Sequence, residues 1–164
     1  MFKYFLKNNL SNFITIFIIF FIDRVSKSYV LRLAEQGNEL DIYLTKYLNI
    51  YLIWNKGIAF GLMSFNSNII YNFITFLITI ICIIILIMII KSDGIKKYSL
   101  ITILGGALGN LFDRFYYGAV PDFIDLHLKT FHWFVFNIAD IFITVGVFCL
   151  IFAELFTQNK ENEK

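Results

Sequence analysis

The chain has 164 residues, 59% of them hydrophobic and only 16% charged, with a mean hydropathy of +0.72. That balance is too apolar for a soluble domain of this length and directs the reading to the membrane. A formal net charge of +2 excludes a nucleic-acid surface built on bulk charge. The two cysteines, Cys82 and Cys149, each sit inside an apolar run and exclude a disulfide framework.

Lys3 and Lys7 precede the apolar run Phe13–Ile22. A basic start and a short apolar stretch also open a cleavable signal peptide, but no small-residue cleavage site follows, so a retained first span over about 9–30 is expected. Asp23 then lies in its outer half, with Lys27 one turn on, spaced to pair with it and to extend its stem outward. Residues 31–68 are the most polar internal segment. Leu48, Ile50, Leu52 and Trp54 alternate with their neighbours, which predicts a strand in a small platform outside the bilayer. Asn55-Lys56-Gly57-Ile58-Ala59-Phe60-Gly61 follows, its glycines expected to let the backbone turn.

Residues 69–90 form a second, lipid-facing span, and Lys91, Lys96 and Lys97 a basic loop with a turn at Asp93-Gly94. A third span is expected over 98–117, an outer segment over 118–133 with a strand where Ile124–Lys129 alternates, and a fourth span over 134–156. Four spans put both termini on one side, together with Lys3, Lys7, Lys91, Lys96, Lys97, Lys160 and Lys164, and the positive-inside rule makes that side cytoplasmic. Tyr29, Trp54, Tyr116, Tyr117 and Trp133 gather near the other boundary, as an interfacial aromatic belt does. The expected fold is one membrane-embedded domain over 1–164: an all-α polytopic membrane protein of four transmembrane helices with a small extracytoplasmic β platform.

Polar residues concentrate at the outer end of the last two spans. Asn110, Asp113 and Arg114 are spaced i, i+3, i+4 and share a helix face; Asn137, Asp140 and Thr144 form a second stripe. Gly105 and Gly109, four apart, allow close helix approach. Carboxylates and guanidinium groups at bilayer depth cost about 2.5–3.5 kcal/mol each on insertion scales, so their convergence marks a functional site. Serine–lysine chemistry does not fit adjacent Ser26 and Lys27, which point to different helix faces. His127 and His132, the only histidines, are expected at the surface rather than as ligands, so no metal site and no cofactor is expected. Carboxylates remain: two aspartates sharing one proton can activate water and protonate a departing amine. Asp122 and Asp140 are the candidate pair. Beside that reading stand structural ones: Asp140 as a helix cap, Asp113 with Arg114 as an ion pair holding helix ends, Asp125 as a solvated strand residue, and the asparagines as turn or helix-contact residues. A proton-relay subunit and a lipid hydrolase are the rival functions; a relay would spread its carboxylates through the membrane depth.

At these residues the chain resembles the signal peptidase II family of bacterial inner-membrane aspartyl peptidases. Asp23-Arg24-Val25-Ser26-Lys27 resembles its D-x-x-x-K, Asn55–Gly61 its N-x-G-x-[AS]-F-G, and Gly105–Arg114 its GGAxGNxxDR. Val120-Pro121-Asp122-Phe123 and Phe136-Asn137-Ile138-Ala139-Asp140 resemble the stretches holding its catalytic aspartates. The resemblance covers nearly the whole chain. It implies removal of signal peptides from diacylglyceryl-modified prolipoproteins, cut before the lipidated cysteine, by a globomycin-sensitive monomer in contact with membrane lipids. It also implies Asp122 and Asp140 as catalytic, with Asp23, Asn55, Gly57, Asn110, Asp113, Arg114 and Asn137 binding substrate or supporting the site. Pro121 departs from the residue the family often carries and removes a backbone donor beside Asp122.

Overall fold

The computed structural model describes residues 2–37, 40–57, 68–128 and 131–162. Among them the order is α1 (Phe2–Gln36), β1 (Asp41–Thr45), β2 (Leu48–Asn55), α2 (Asn68–Lys91), α3 (Gly94–Tyr117), β3 (Val120–Leu128), β4 (Phe131–Phe136) and α4 (Ile138–Asn162). Two helical stretches, Ile69–Lys91 and Ile138–Phe156, are long and apolar enough to cross a membrane. α1 and α3 interrupt their apolar sequence with Asp23, Arg24 and Lys27 and with Asp113 and Arg114. Outward faces are dominated by apolar side chains: Phe13, Phe17 and Phe21 on α1, Phe73 and Phe76 on α2, and Phe148 and Phe152 on α4 are all more than half exposed.

α3 packs against α1, α2 and α4. Its Leu100, Ile101, Ile103, Leu104 and Leu111 form one buried cluster with Cys82, Ile85 and Ile89 of α2. Its small residues set how near the other helices come. A Cβ on Gly106 would stand 2.5 Å from the backbone carbonyl oxygen of Ala139 in α4, and one on Gly109 would stand 2.5 Å from the Asp23 carboxylate in α1. The spaced pair Gly105 and Gly109 therefore faces α1, where Gly105 meets Ile19, and Gly106 faces α4. Because the obstacle at Gly106 is backbone, Gly106→Ala is expected to push α4 from α3 and cost about 1–3 kcal/mol, read as a fall in thermal midpoint of the detergent-solubilised protein. α3 stops at Gly118, whose φ of 69° is the left-handed conformation glycine supplies at helix ends.

The strands make one antiparallel sheet in the order β1-β2-β3-β4. The expected strand near 48–54 is β2, and the alternation at Ile124–Lys129 is the second half of β3, with Lys129 outside the described residues. One boundary differs: residues 134–136, expected as the start of the fourth span, are strand, with Phe134 and Phe136 paired to Leu126 and Ile124. A run of apolar aromatics satisfies a strand as well as a helix, and the ladder to β3 decides it. Pro121 pairs only with Trp54 of β2, because β4 begins pairing at Ile124; a proline is tolerated where one side of the strand has no partner. Trp54 and Tyr117 meet with ring centroids 5.4 Å apart where the sheet joins the end of α3.

Candidate active site

Asp122, on β3, and Asp140, in the first turn of α4, are both almost fully buried and line a single cavity of about 180 Å³ with Asn55, Asn110, Arg114 and Asn137. Each asparagine is oriented by a donor it cannot refuse. The Asn137 Oδ1 accepts the Asp140 backbone N–H at 3.1 Å, which turns its Nδ2 onto Asp122 Oδ1 at 2.6 Å. The Asn55 Oδ1 accepts the Gly57 N–H at 2.7 Å, so its Nδ2 donates to Asp122 Oδ2 at 2.8 Å. The Asn110 Oδ1 accepts Lys27 Nζ at 2.8 Å, so its Nδ2 donates to Asp140 Oδ1 at 2.8 Å. Amide O and N are thereby distinguished by the network itself.

Asp140 does cap its helix. Its Oδ2 accepts the Asn137 N–H at 3.2 Å while Asn137 accepts the Asp140 N–H, a reciprocal capping box that satisfies two otherwise orphaned donors. Capping and facing the cavity are compatible because the two carboxylate oxygens divide the tasks. A third donor of that first turn, the Ala139 N–H, goes to Asp23 Oδ1 at 3.1 Å across from α1. Burial first, and the Asp140 charge second, push the Asp122 carboxyl up to about 7 despite the two amide donors.

Behind the cavity lies a four-charge cluster. Arg24 grips both oxygens of Asp113, at 2.5 and 2.8 Å, and reaches Asp23 at 2.8 Å. Lys27 Nζ lies 2.7 Å from Asp113 and 3.0 Å from Asp23. Two carboxylates and two cations cancel, which is how charges survive burial there. The expected Asp23–Lys27 pair is present, but Lys27 is 1% exposed and does not extend outward. The expected Asp113–Arg114 pair is replaced: consecutive helical residues point about 100° apart, so Asp113 turns to α1 while an Arg114 Nη2–H donates to the Gly57 carbonyl. The second terminal nitrogen of Arg114, Nη1, is buried with no hydrogen-bond partner among the described residues, and Arg114 lines the cavity. Gly57 serves through its own N–H and carbonyl; the positive-φ glycines among the described residues are Gly94 and Gly118, and Ile58–Gly61 lie outside them. Asp125 is buried rather than solvated and sits against His132.

Arg24 and Tyr71 were not read from the sequence. The signal for Arg24 was charge balance: two aspartates buried on facing helices require two cations, and Arg24 and Lys27 both follow Asp23 within about a turn. Tyr71, whose hydroxyl donates to the Arg114 carbonyl at 3.0 Å, carried no sequence signal beyond a polar atom in an apolar run.

Residues 15–156 match the protein family described as Signal peptidase (SPase) II. The lipoprotein signal peptidase of Pelagibacter ubique is 58% identical over 160 residues, covering 97% of this chain and 96% of its own. That of Anaplasma marginale is 33% identical over 157 residues, covering 94% and 90%. A solved bacterial membrane enzyme, determined by the in meso method, superposes with a TM-score of 0.72 at 28% identity, covering 94% of this chain and 92% of that one.

Proposed function

This chain belongs to the signal peptidase II family, aspartic peptidases that cleave signal peptides from prolipoproteins, and on that premise we propose that Asp122 and Asp140 are its catalytic pair. The observation that carries the assignment is Asn137. One residue donates to Asp122 through its side chain, and shares a capping box with Asp140, so two carboxylates from different elements are held to one cavity. The pair shares a proton. Asp122, with a pKa near 7, carries it toward the scissile carbonyl oxygen; Asp140 takes a proton from the attacking water. Water adds to the carbonyl carbon, and the resulting diol collapses as the amide nitrogen is protonated and leaves. Arg114 Nη1, Asn55 and Asn110 stand at the cavity to hold the peptide backbone and the developing oxyanion.

The substrate is a precursor whose cysteine already carries diacylglycerol. An apolar cleft of about 250 Å³ opens beside Asp140 between Phe134, Phe136, Ile141, Thr144 and Val145, room for an acyl chain that remains in lipid. Four helices cross the cytoplasmic membrane, with α1 and α3 spanning because Asp23, Arg24, Lys27 and Asp113 pair with one another inside the bundle and Arg114 turns to the cavity. Both termini and the short α2–α3 connection, flanked by Lys91 of α2 and by Lys96 and Lys97 in the first turn of α3 rather than in a basic loop, face the cytoplasm, and the sheet and cavity face outward.

The purified protein is expected to cleave a diacylglyceryl-modified precursor with EDTA present and to leave the unmodified precursor intact. The rate is expected to fall as pH rises through about 7, because the shared proton is lost in that direction. Cleavage abolished by EDTA, or equal cleavage of both precursors, would overturn the reading.

A further inference from the structure

Away from the cavity, β2, β3 and β4 bring a second set of polar side chains together. Asp125 and His127 lie two apart on β3 and so share a face; His127 pairs in register with His132 of β4, and Asp125 with Asn49 of β2. Asp125 is 1% exposed and His127 9%. The Nδ1 atoms of His132 and His127 stand 2.7 and 3.7 Å from the same Asp125 oxygen, Oδ2. One ligand atom from each of the three residues falls within 4.8 Å of the others. Three buried acceptor-capable atoms here lack any hydrogen-bond partner among the described residues: Asp125 Oδ1, His127 Nδ1 and Asn49 Oδ1. Buried polar atoms are rarely left so, and three on one patch of sheet ask for something positive between them.

We propose that Asp125, His127 and His132 bind a divalent transition-metal ion of the zinc type, with Asn49 positioned to complete the coordination. Tetrahedral ligands at about 2.0–2.1 Å stand about 3.3 Å apart, and the observed 2.7 and 3.7 Å straddle that spacing, so small side-chain rotations form the site. His132 is exposed and free to make them. Two imidazoles and a carboxylate select zinc-like ions over magnesium or calcium, which prefer all-oxygen shells. The ion would clamp β4 to β3 between Asp122 and Asn137 without touching either. It is structural, so the EDTA-resistant cleavage expected above and this site stand or fall separately.

The test is zinc binding by the full-length protein in detergent, with zinc alone as probe and a chromophoric chelator as competitor. Saturation at one zinc per chain and a zinc-dependent rise in thermal midpoint are expected, with no rise from magnesium. Loss of an outer-shell partner already costs about 10–100-fold in metal affinity, so His132→Ala should weaken binding by at least about tenfold and erase the thermal shift. Being exposed, His132 can be removed without endangering the fold, and cleavage by His132→Ala should match the parent. Asp125→Asn, which keeps the side-chain shape, should lower affinity likewise. No saturable binding, or parental affinity in both variants, overturns the proposal.

Discussion

Asp122→Asn and Asp140→Asn proteins are expected to fold and to lose roughly 10⁴-fold in kcat, the loss typical when one member of a cooperating catalytic set is removed. Both side chains keep their volume, and at each position an amide can still accept a hydrogen bond from one neighbouring asparagine. What disappears is the exchangeable proton at Asp122 or the base at Asp140. Because the two act as a unit, the double variant should be no slower than the slower single one. Binding should survive, so a non-cleaved lipidated precursor should still protect the variants against heat. Either single variant retaining parental turnover would remove that residue from the chemistry.

Asp113→Asn is expected to be costly in a different currency. Arg24 and Lys27 would then face Asp23 alone, leaving one positive charge buried without a counter-charge, a loss of about 3–5 kcal/mol when one partner of such a set is deleted. Adding Lys27→Met restores neutrality with Arg24 and Asp23, and should recover more than half of the lost stability in chemical unfolding. It should not recover activity. Lys27 Nζ is the donor that orients Asn110, and without it the amide can turn its carbonyl toward Asp140. Stability returning without turnover separates the cluster's structural duty from its positioning duty; the two returning together would show the Lys27–Asn110 contact to be dispensable.

Much of the site was legible because polar residues stand out against apolar sequence. Asp122, Asp140, Asn110 and Asn137 are each surrounded by residues with no chemistry, so their spacing on two helices and a connecting strand carried the reading. The strand at Leu48–Asn55 was legible from its alternation. What failed was information that lies in pairing rather than in spacing. β4 was read as the start of a span because Phe134-Val135-Phe136 has no period to distinguish strand from helix, and only its ladder to β3 decides. Asp113 was assigned its sequence neighbour as partner, although helix geometry turns adjacent side chains apart and sends it to Arg24 in another helix, 89 positions away. Arg114 likewise meets Gly57 across 57 positions of chain. A solvated strand position was one reading of Asp125 and a surface position the expectation for His127, since polar residues of an alternating strand usually face water; both are buried, and burial of that sheet face is a tertiary fact.

The capping box at Asn137 and Asp140 has a bearing on biosynthesis. A protease released into a membrane crowded with other nascent chains is a hazard while it is unfinished. Here Asp140 and Asn137 belong to α4 and its cap, the last element among the described residues, and the first turn of that helix is secured in part by Asp23 of the first. A ribosome-tethered chain that ends with β4 holds Asp122 but not Asp140, its proposed partner. On the proposed pair, activity arrives only when α4 closes onto the bundle, so the finished fold and the finished site appear together.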